Sequence, residues 1–211
     1  LKPNMRLLEI GCSAGMFLYE IQKFVKEAIG IDYDSASARY ASKKCKCTTY
    51  STNLEDTPIR KGSLDVICLF QTLEHVKNPY AFLSTIYDYL KPGGIVFVEV
   101  PNLNDALVHA YDLPGYRYDF YFHEAHLWYF TPKSLEQLMH EIGFSGMIIF
   151  SQDYNFLNHM NWIMRDKPQV SSMPGLSEPA LPIRSSLPVE KAKKLNTFIQ
   201  STDTTYKQLL R

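Results

Sequence analysis

No apolar run in this 211-residue chain approaches the roughly 20 residues that span a membrane, and no signal-peptide pattern is present. Charge of one sign is also lacking: Lys+Arg and Asp+Glu both number 22. Nucleic-acid binders carry a basic excess or stripe. Here Lys43, Lys44 and Lys46 make only a small cluster at the end of a helical pattern. Cysteine is sparse, and Cys12, Cys45, Cys47 and Cys68 have neither zinc-ribbon nor redox spacing. They read as reduced thiols. These absences predict a cytoplasmic protein with no nucleic-acid partner and no membrane span. The chain begins at Leu1 rather than Met, as a piece of a longer protein would.

Two phosphate-binding patterns are missing as well. A dinucleotide site needs glycine spaced G-x-G-x-x-G, and counting from Gly11 the second and third places hold Ser13 and Met16. The Lys-Ser/Thr ending of a P-loop is absent. What is present is an apolar run, Leu7 to Ile10, that ends in the small-residue loop Gly11-Cys12-Ser13-Ala14-Gly15. A second apolar run ends in Gly30-Ile31-Asp32, with the acid 21 residues after Gly11. This reads as strand, tight turn, helix, strand. The turn lets backbone N–H groups approach a ligand, and the acid can accept hydrogen bonds from ribose hydroxyls.

Apolar runs alternate with helical patterns along the chain, which predicts an α/β fold with a doubly wound, mostly parallel sheet. Strands are expected near 6–10, 29–32, 47–50, 64–70 and 94–100, with a sixth at about 144–151. Helices are expected near 15–27, 34–44 and 79–90. Asn78 caps the last of these, with Pro79 at its first position. Thr131-Pro132 opens another, which Gly143 closes. Five prolines between residues 166 and 188 (Pro168, Pro174, Pro179, Pro182 and Pro188) exclude regular structure there. Val189, Ala192, Leu195, Ile199, Tyr206 and Leu210 then recur at near-helical spacing. That C-terminal helix has a half-apolar face, to be covered by the domain, by a second subunit or by residues outside this chain, which leaves a homodimer open.

The segment Glu9-Ile10-Gly11-Cys12-Ser13-Ala14-Gly15 resembles the first motif of class I S-adenosylmethionine-dependent methyltransferases, with Ser13 in place of the middle glycine. Asn53 to Pro58, Gly62 to Ile67, Gln71-Thr72-Leu73-Glu74-His75-Val76 and Lys91-Pro92-Gly93-Gly94 follow in the family's order, so that the resemblance covers residues 5 to about 150. Leu73-Glu74-His75, Val100-Pro101-Asn102 and a later His-rich stretch are similar to the small-molecule and sugar-modifying branch (methyltransferase type 11/23-like). The resemblance implies a Rossmann-like fold, S-adenosyl-L-methionine as cofactor, and two regions. Residues 1–151 form the cofactor-binding domain, with a lid insertion at about 102–130. Residues 152–211 form a Pro-rich connection and a C-terminal helical appendage. It implies that Glu9 and the backbone of Gly11, Cys12, Ser13, Ala14 and Gly15 hold the methionine part. Asp32 takes the ribose, Asn53 and Leu54 flank the adenine, and Gln71 lies near the sulfur. Leu54 as core and Gln71 as a strand-end cap are the plain alternatives.

Residues 111–130 carry the acceptor-side signal. Tyr111, Tyr116, Tyr118, Phe120, Tyr121, Phe122, Trp128, Tyr129 and Phe130 make this stretch far richer in aromatics than the 13% of the whole chain. Such rings suit sugars or planar acceptors, or else build a core under the lid. His123-Glu124-Ala125-His126 lies within it. The i, i+3 spacing and the want of an apparent third ligand predict no metal site. A histidine can accept a proton from a hydroxyl near neutral pH, and His126 is the expected base, with His123 second. His75 reads as structural before catalytic. The expected reaction is methyl transfer to a small-molecule acceptor, a hydroxyl of a sugar, nucleotide-sugar or glycan precursor. A quinone or isoprenoid-type acceptor is the alternative within the class, and a non-catalytic cofactor-binding subunit the alternative outside it.

Overall fold

The computed structural model describes residues 1–152, 154–169, 176–179 and 188–210. Its centre is a five-stranded sheet: β1 (Arg6–Ile10), β2 (Glu27–Ile31), β3 (Thr48–Tyr50), β4 (Leu64–Phe70) and β5 (Leu90–Glu99). The strand order is β3-β2-β1-β4-β5, and every pairing is parallel. The chain thus winds outward in one direction to β3, returns, and winds the other way through β4. The reversal falls between β1 and β4, where open α/β sheets bind ligands at the carboxyl ends of their strands.

β1 and β4 are apolar almost throughout because both of their faces are covered. Leu7, Leu8, Leu64, Ile67 and Leu69 have no exposed surface. Residues of one face meet Leu73, Leu83, Ile86, Phe130 and Leu135 in one cluster, and those of the other, Leu7, Val66 and Cys68, form a smaller one with Phe17 and Ile21. The helices of this part are α1 (Met16–Ile21), α2 (Ser35–Cys45), α3 (Pro79–Tyr89) and α4 (Pro132–Ile142). Asp34 caps α2 by accepting from the N–H groups of Ala36 (3.0 Å) and Ser37 (3.2 Å). Asn78 caps α3 through Ala81 N–H at 3.0 Å. Thr131 and Ser134 form a reciprocal capping box on α4.

By contact the chain divides into two compact units, residues 1–102 with 125–146, and residues 103–124 with 147–211. The sheet and α1–α4 belong to the first. The second holds α5 (Phe156–Arg165), α6 (Val189–Leu209) and the short helical turns of residues 106–121. In it Tyr116 and Phe120 pack on Trp162, with ring centroids 4.9 and 5.3 Å away. Part of the aromatic-rich stretch is therefore core of this unit.

Three local expectations differ from the structure. No strand forms at 144–151; Met147 and Ile149 are 82% and 78% exposed, and a β-prone sequence without a partner edge does not become a strand. The first helix stops at Ile21 rather than 27, because Glu27 pairs with Arg6 at the start of β2. Helix α5 was not expected. The residues it buries include Asn158 and His159, so hydrophobic periodicity hides it. Of the Pro-rich connection, residues 170–175 and 180–187 lie outside the described residues.

Candidate active site

The loop after β1 is built around left-handed backbone. Gly11 has φ +81°, and a Cβ there would run into the Thr72 hydroxyl at the end of β4. Gly15 has φ +76°, and a Cβ would lie 2.9 Å from that of Ala41. Only glycine satisfies both demands. The loop is tied to β2, whose Ile31 carbonyl accepts from Gly11 N–H (2.8 Å) and Cys12 N–H (3.0 Å). Ser13 and, at the end of β4, Gln71 are non-glycine residues at positive φ (45° and 50°). Such strain collects at ligand sites.

Glu9 sits beneath this loop, 5% exposed, and its Oε2 has no hydrogen-bond partner among the described residues. Burial, and then the neighbouring Asp32 charge, push its carboxyl up to about 8. Asp32 spans the mouth of the loop, its Oδ2 accepting from Ser13 N–H at 2.7 Å and its Oδ1 from Asp34 N–H at 2.9 Å. The structure thus brings Glu9, Gly11 to Gly15 and Asp32 together at the carboxyl ends of β1 and β2. Asn53 accepts from the Tyr33 hydroxyl (2.8 Å) and donates to Asp56 (3.0 Å). Leu54 is 4% exposed and packs in the core. Gln71 donates to Glu99 at 2.9 Å. Cys12 is buried, and desolvation pushes its thiol up to about 12, so it is no nucleophile.

A second cluster lies just beyond β4. Leu73–His75 forms one 3₁₀ turn, and the stretch 125–128 is laced to it. Leu127 and Trp128 N–H donate to the Glu74 carbonyl (2.8 and 3.2 Å), and Trp128 Nε1 donates to the Val76 carbonyl (3.0 Å). The His75 ring bonds the Ala125 carbonyl at 2.8 Å through Nδ1. This lacing sets His75 and His126 edge to face, centroids 4.9 Å apart, around the fully buried Glu74. Each Nε2 stands 4.0 Å from Glu74 Oε1. Burial raises the Glu74 carboxyl above the ordinary range. His123 belongs to the other compact unit and is not part of the cluster. Sequence reasoning weighed His75 and His126 singly and missed Glu74. No local signal marks Glu74 as buried, because its cover comes from residues about 50 positions away.

A family model described as a methyltransferase domain matches residues 1–147. The chain belongs to the class I S-adenosylmethionine-dependent methyltransferases. A Mycolicibacterium smegmatis protein named a probable S-adenosylmethionine-dependent methyltransferase is 33% identical over 46% of this chain and 38% of its own length. A ubiquinone biosynthesis O-methyltransferase of Rhodopseudomonas palustris is 31% identical over 71% of this chain and 60% of its own. The chain therefore spans well under two thirds of the length of some of its curated relatives. The crystal structure of a methyltransferase from Archaeoglobus fulgidus shares the fold, with TM-score 0.60 and 20% identity over 95% of this chain and 80% of that one. The residues of this methyltransferase domain fit the family's cofactor: a small-residue cradle that a Cβ would fill, and a buried carboxylate oxygen, Glu9 Oε2, left without a partner. No helix among the described residues is long and apolar enough to cross a membrane.

Proposed function

We propose that this domain transfers a methyl group to a hydroxyl oxygen of a small-molecule acceptor, and that the acceptor is a phenol of the quinone-precursor class. S-adenosylmethionine supplies an activated methyl group with a neutral thioether as leaving group. The chain supplies alignment. The loop Gly11–Gly15 holds the methionine end through its backbone, Glu9 offers its free oxygen to the amino group, and Asp32 turns to the ribose hydroxyls. Asn53 lies at the adenine edge, and Gln71 lies at the sulfur side. An in-line displacement then needs the acceptor oxygen opposite the sulfur and stripped of its proton.

The observation that carries the reading is the Glu74–His75–His126 cluster. It follows β4, two residues after Thr72, whose hydroxyl donates to the Ile10 carbonyl at 3.1 Å at the base of the cofactor loop. A polar cluster at that position suits an acceptor that must lose a proton, and within it His126 is the half-buried imidazole. A phenol is favoured over the sugar hydroxyl expected from sequence because the relative aligned over 71% of this chain is named a ubiquinone biosynthesis O-methyltransferase. Sugar nucleotides remain the comparison arm.

The test is formation of S-adenosylhomocysteine by the purified protein with catechol-type phenols, with sugar nucleotides, and without acceptor. The expected result is turnover with a phenol, lowered about 10²–10⁴-fold by His126→Ala, with cofactor affinity retained. Turnover with sugar nucleotides alone would overturn the acceptor class. Cofactor binding without turnover on any arm would favour a non-catalytic subunit.

A further inference from the structure

Glu74, His75 and His126 form a cluster around a buried carboxylate whose oxygens hydrogen bonding leaves unsatisfied. Glu74 has no exposed surface, and neither of its carboxylate oxygens has a hydrogen-bond partner among the described residues. A buried carboxylate left so is costly. The Nε2 atoms of His75 and His126 each stand 4.0 Å from Glu74 Oε1, too far to bond it. One ligand atom from each of Glu74, His75 and His126 lies within 4.8 Å of the other two. The His75 ring is already oriented as a ligand. A carbonyl only accepts, so its Nδ1–H donates to Ala125 at 2.8 Å, and its Nε2 lone pair is left free to bind. Metal-bound imidazoles are commonly held in this way by a backbone carbonyl on the far nitrogen.

We propose that Glu74, His75 and His126 bind a divalent first-row transition cation of the zinc class. Two imidazoles and one carboxylate select such an ion over magnesium or calcium, which take oxygen ligands. Three protein ligands leave a fourth position open, the pattern of a catalytic rather than a structural site. The open side is marked by His75, whose side chain is 43% exposed, against 13% for His126 and none for Glu74. The ion's role, though not its binding, rests on the reading given under the proposed function. The acceptor hydroxyl oxygen takes the open position, its O–H bond breaks with the electron pair kept on oxygen, and the proton passes to solvent water. That oxygen then forms the new C–O bond as the methyl–sulfur bond breaks, its electron pair staying on sulfur.

The test is titration of the purified protein with CoCl₂, read by the visible ligand-field bands, together with equilibrium dialysis against ZnCl₂ and elemental analysis. Calorimetry with S-adenosylhomocysteine is run on the same preparations. The expected result is one equivalent of cobalt or zinc, bound at least about tenfold more weakly by His75→Ala, His126→Ala and Glu74→Gln. His140→Ala, on the exposed side of α4, leaves it unchanged. The exposed His75 makes its variant the one least exposed to a folding defect, and retained S-adenosylhomocysteine affinity checks the fold. Absence of saturable one-equivalent binding, or binding indifferent to both histidine variants, would overturn the site while leaving the methyltransferase reading intact. Metal binding without S-adenosylhomocysteine binding would do the reverse.

Discussion

A carboxyl buried as Glu9 is costs the ligand-free fold stability at neutral pH. Its folded value of about 8 lies above the ordinary 4.5, so the folded chain keeps a proton that the unfolded chain releases between those limits. Stability therefore falls as pH rises from about 4.5 to 8. Glu9→Gln removes that loss. It should raise thermal stability by an amount that grows over this interval, on the order of 1–3 kcal/mol near its top, while weakening S-adenosylhomocysteine. Thermal unfolding at a series of pH values checks this; a gain that does not change with pH would mean that Glu9 is not the buried acid described here. Asp32 was legible in the sequence as the acid that ends the second strand of a strand-loop-strand pattern, and Glu9 only through the motif that carries the family resemblance. Glu74 was not. Its burial depends on Ala125 to Trp128 folding back over it, and no local pattern encodes that return.

At the scale of elements, sequence served best where a turn or cap carries its own chemistry. Asn78-Pro79, Thr131-Pro132 and Gly143 mark helix ends by local bonds, and those ends stand where expected. Segments that depend on distant partners were harder to read. Residues 144–151 have strand composition but no strand, and α5 buries polar side chains that mask its period. The loop after β1 gives a comparison of its own. Gly62 has φ +64° with open space around it, whereas Gly11 combines φ +81° with the Thr72 hydroxyl in the way. Gly62→Ala should cost about 1–2 kcal/mol, the strain of left-handed backbone. Gly11→Ala should cost about 1–3 kcal/mol more, from steric overlap. Denaturant unfolding of both variants checks this, and equal losses would mean that the loop yields without resistance.

For the whole molecule, the sheet order and the reversal between β1 and β4 gather the candidate chemistry on one side: cofactor loop, Asp32 and the Glu74 cluster all follow carboxyl ends of central strands. Alternating apolar runs and helical patterns were enough to foresee this parallel, doubly wound sheet. The grouping of residues 103–124 with 147–211 was not foreseeable, since it joins pieces far apart in sequence through Tyr116, Phe120 and Trp162. We propose that the loop Gly11–Gly15 with Asp32 receives an adenosyl-methionine ligand and not a dinucleotide. Isothermal calorimetry of the wild-type protein and Asp32→Ala with S-adenosylhomocysteine and with NAD tests it most directly. Saturable S-adenosylhomocysteine binding, a loss of about 1–3 kcal/mol in Asp32→Ala, and no NAD binding are expected. Binding of NAD without S-adenosylhomocysteine, or equal S-adenosylhomocysteine affinity in a folded Asp32→Ala variant, would contradict it.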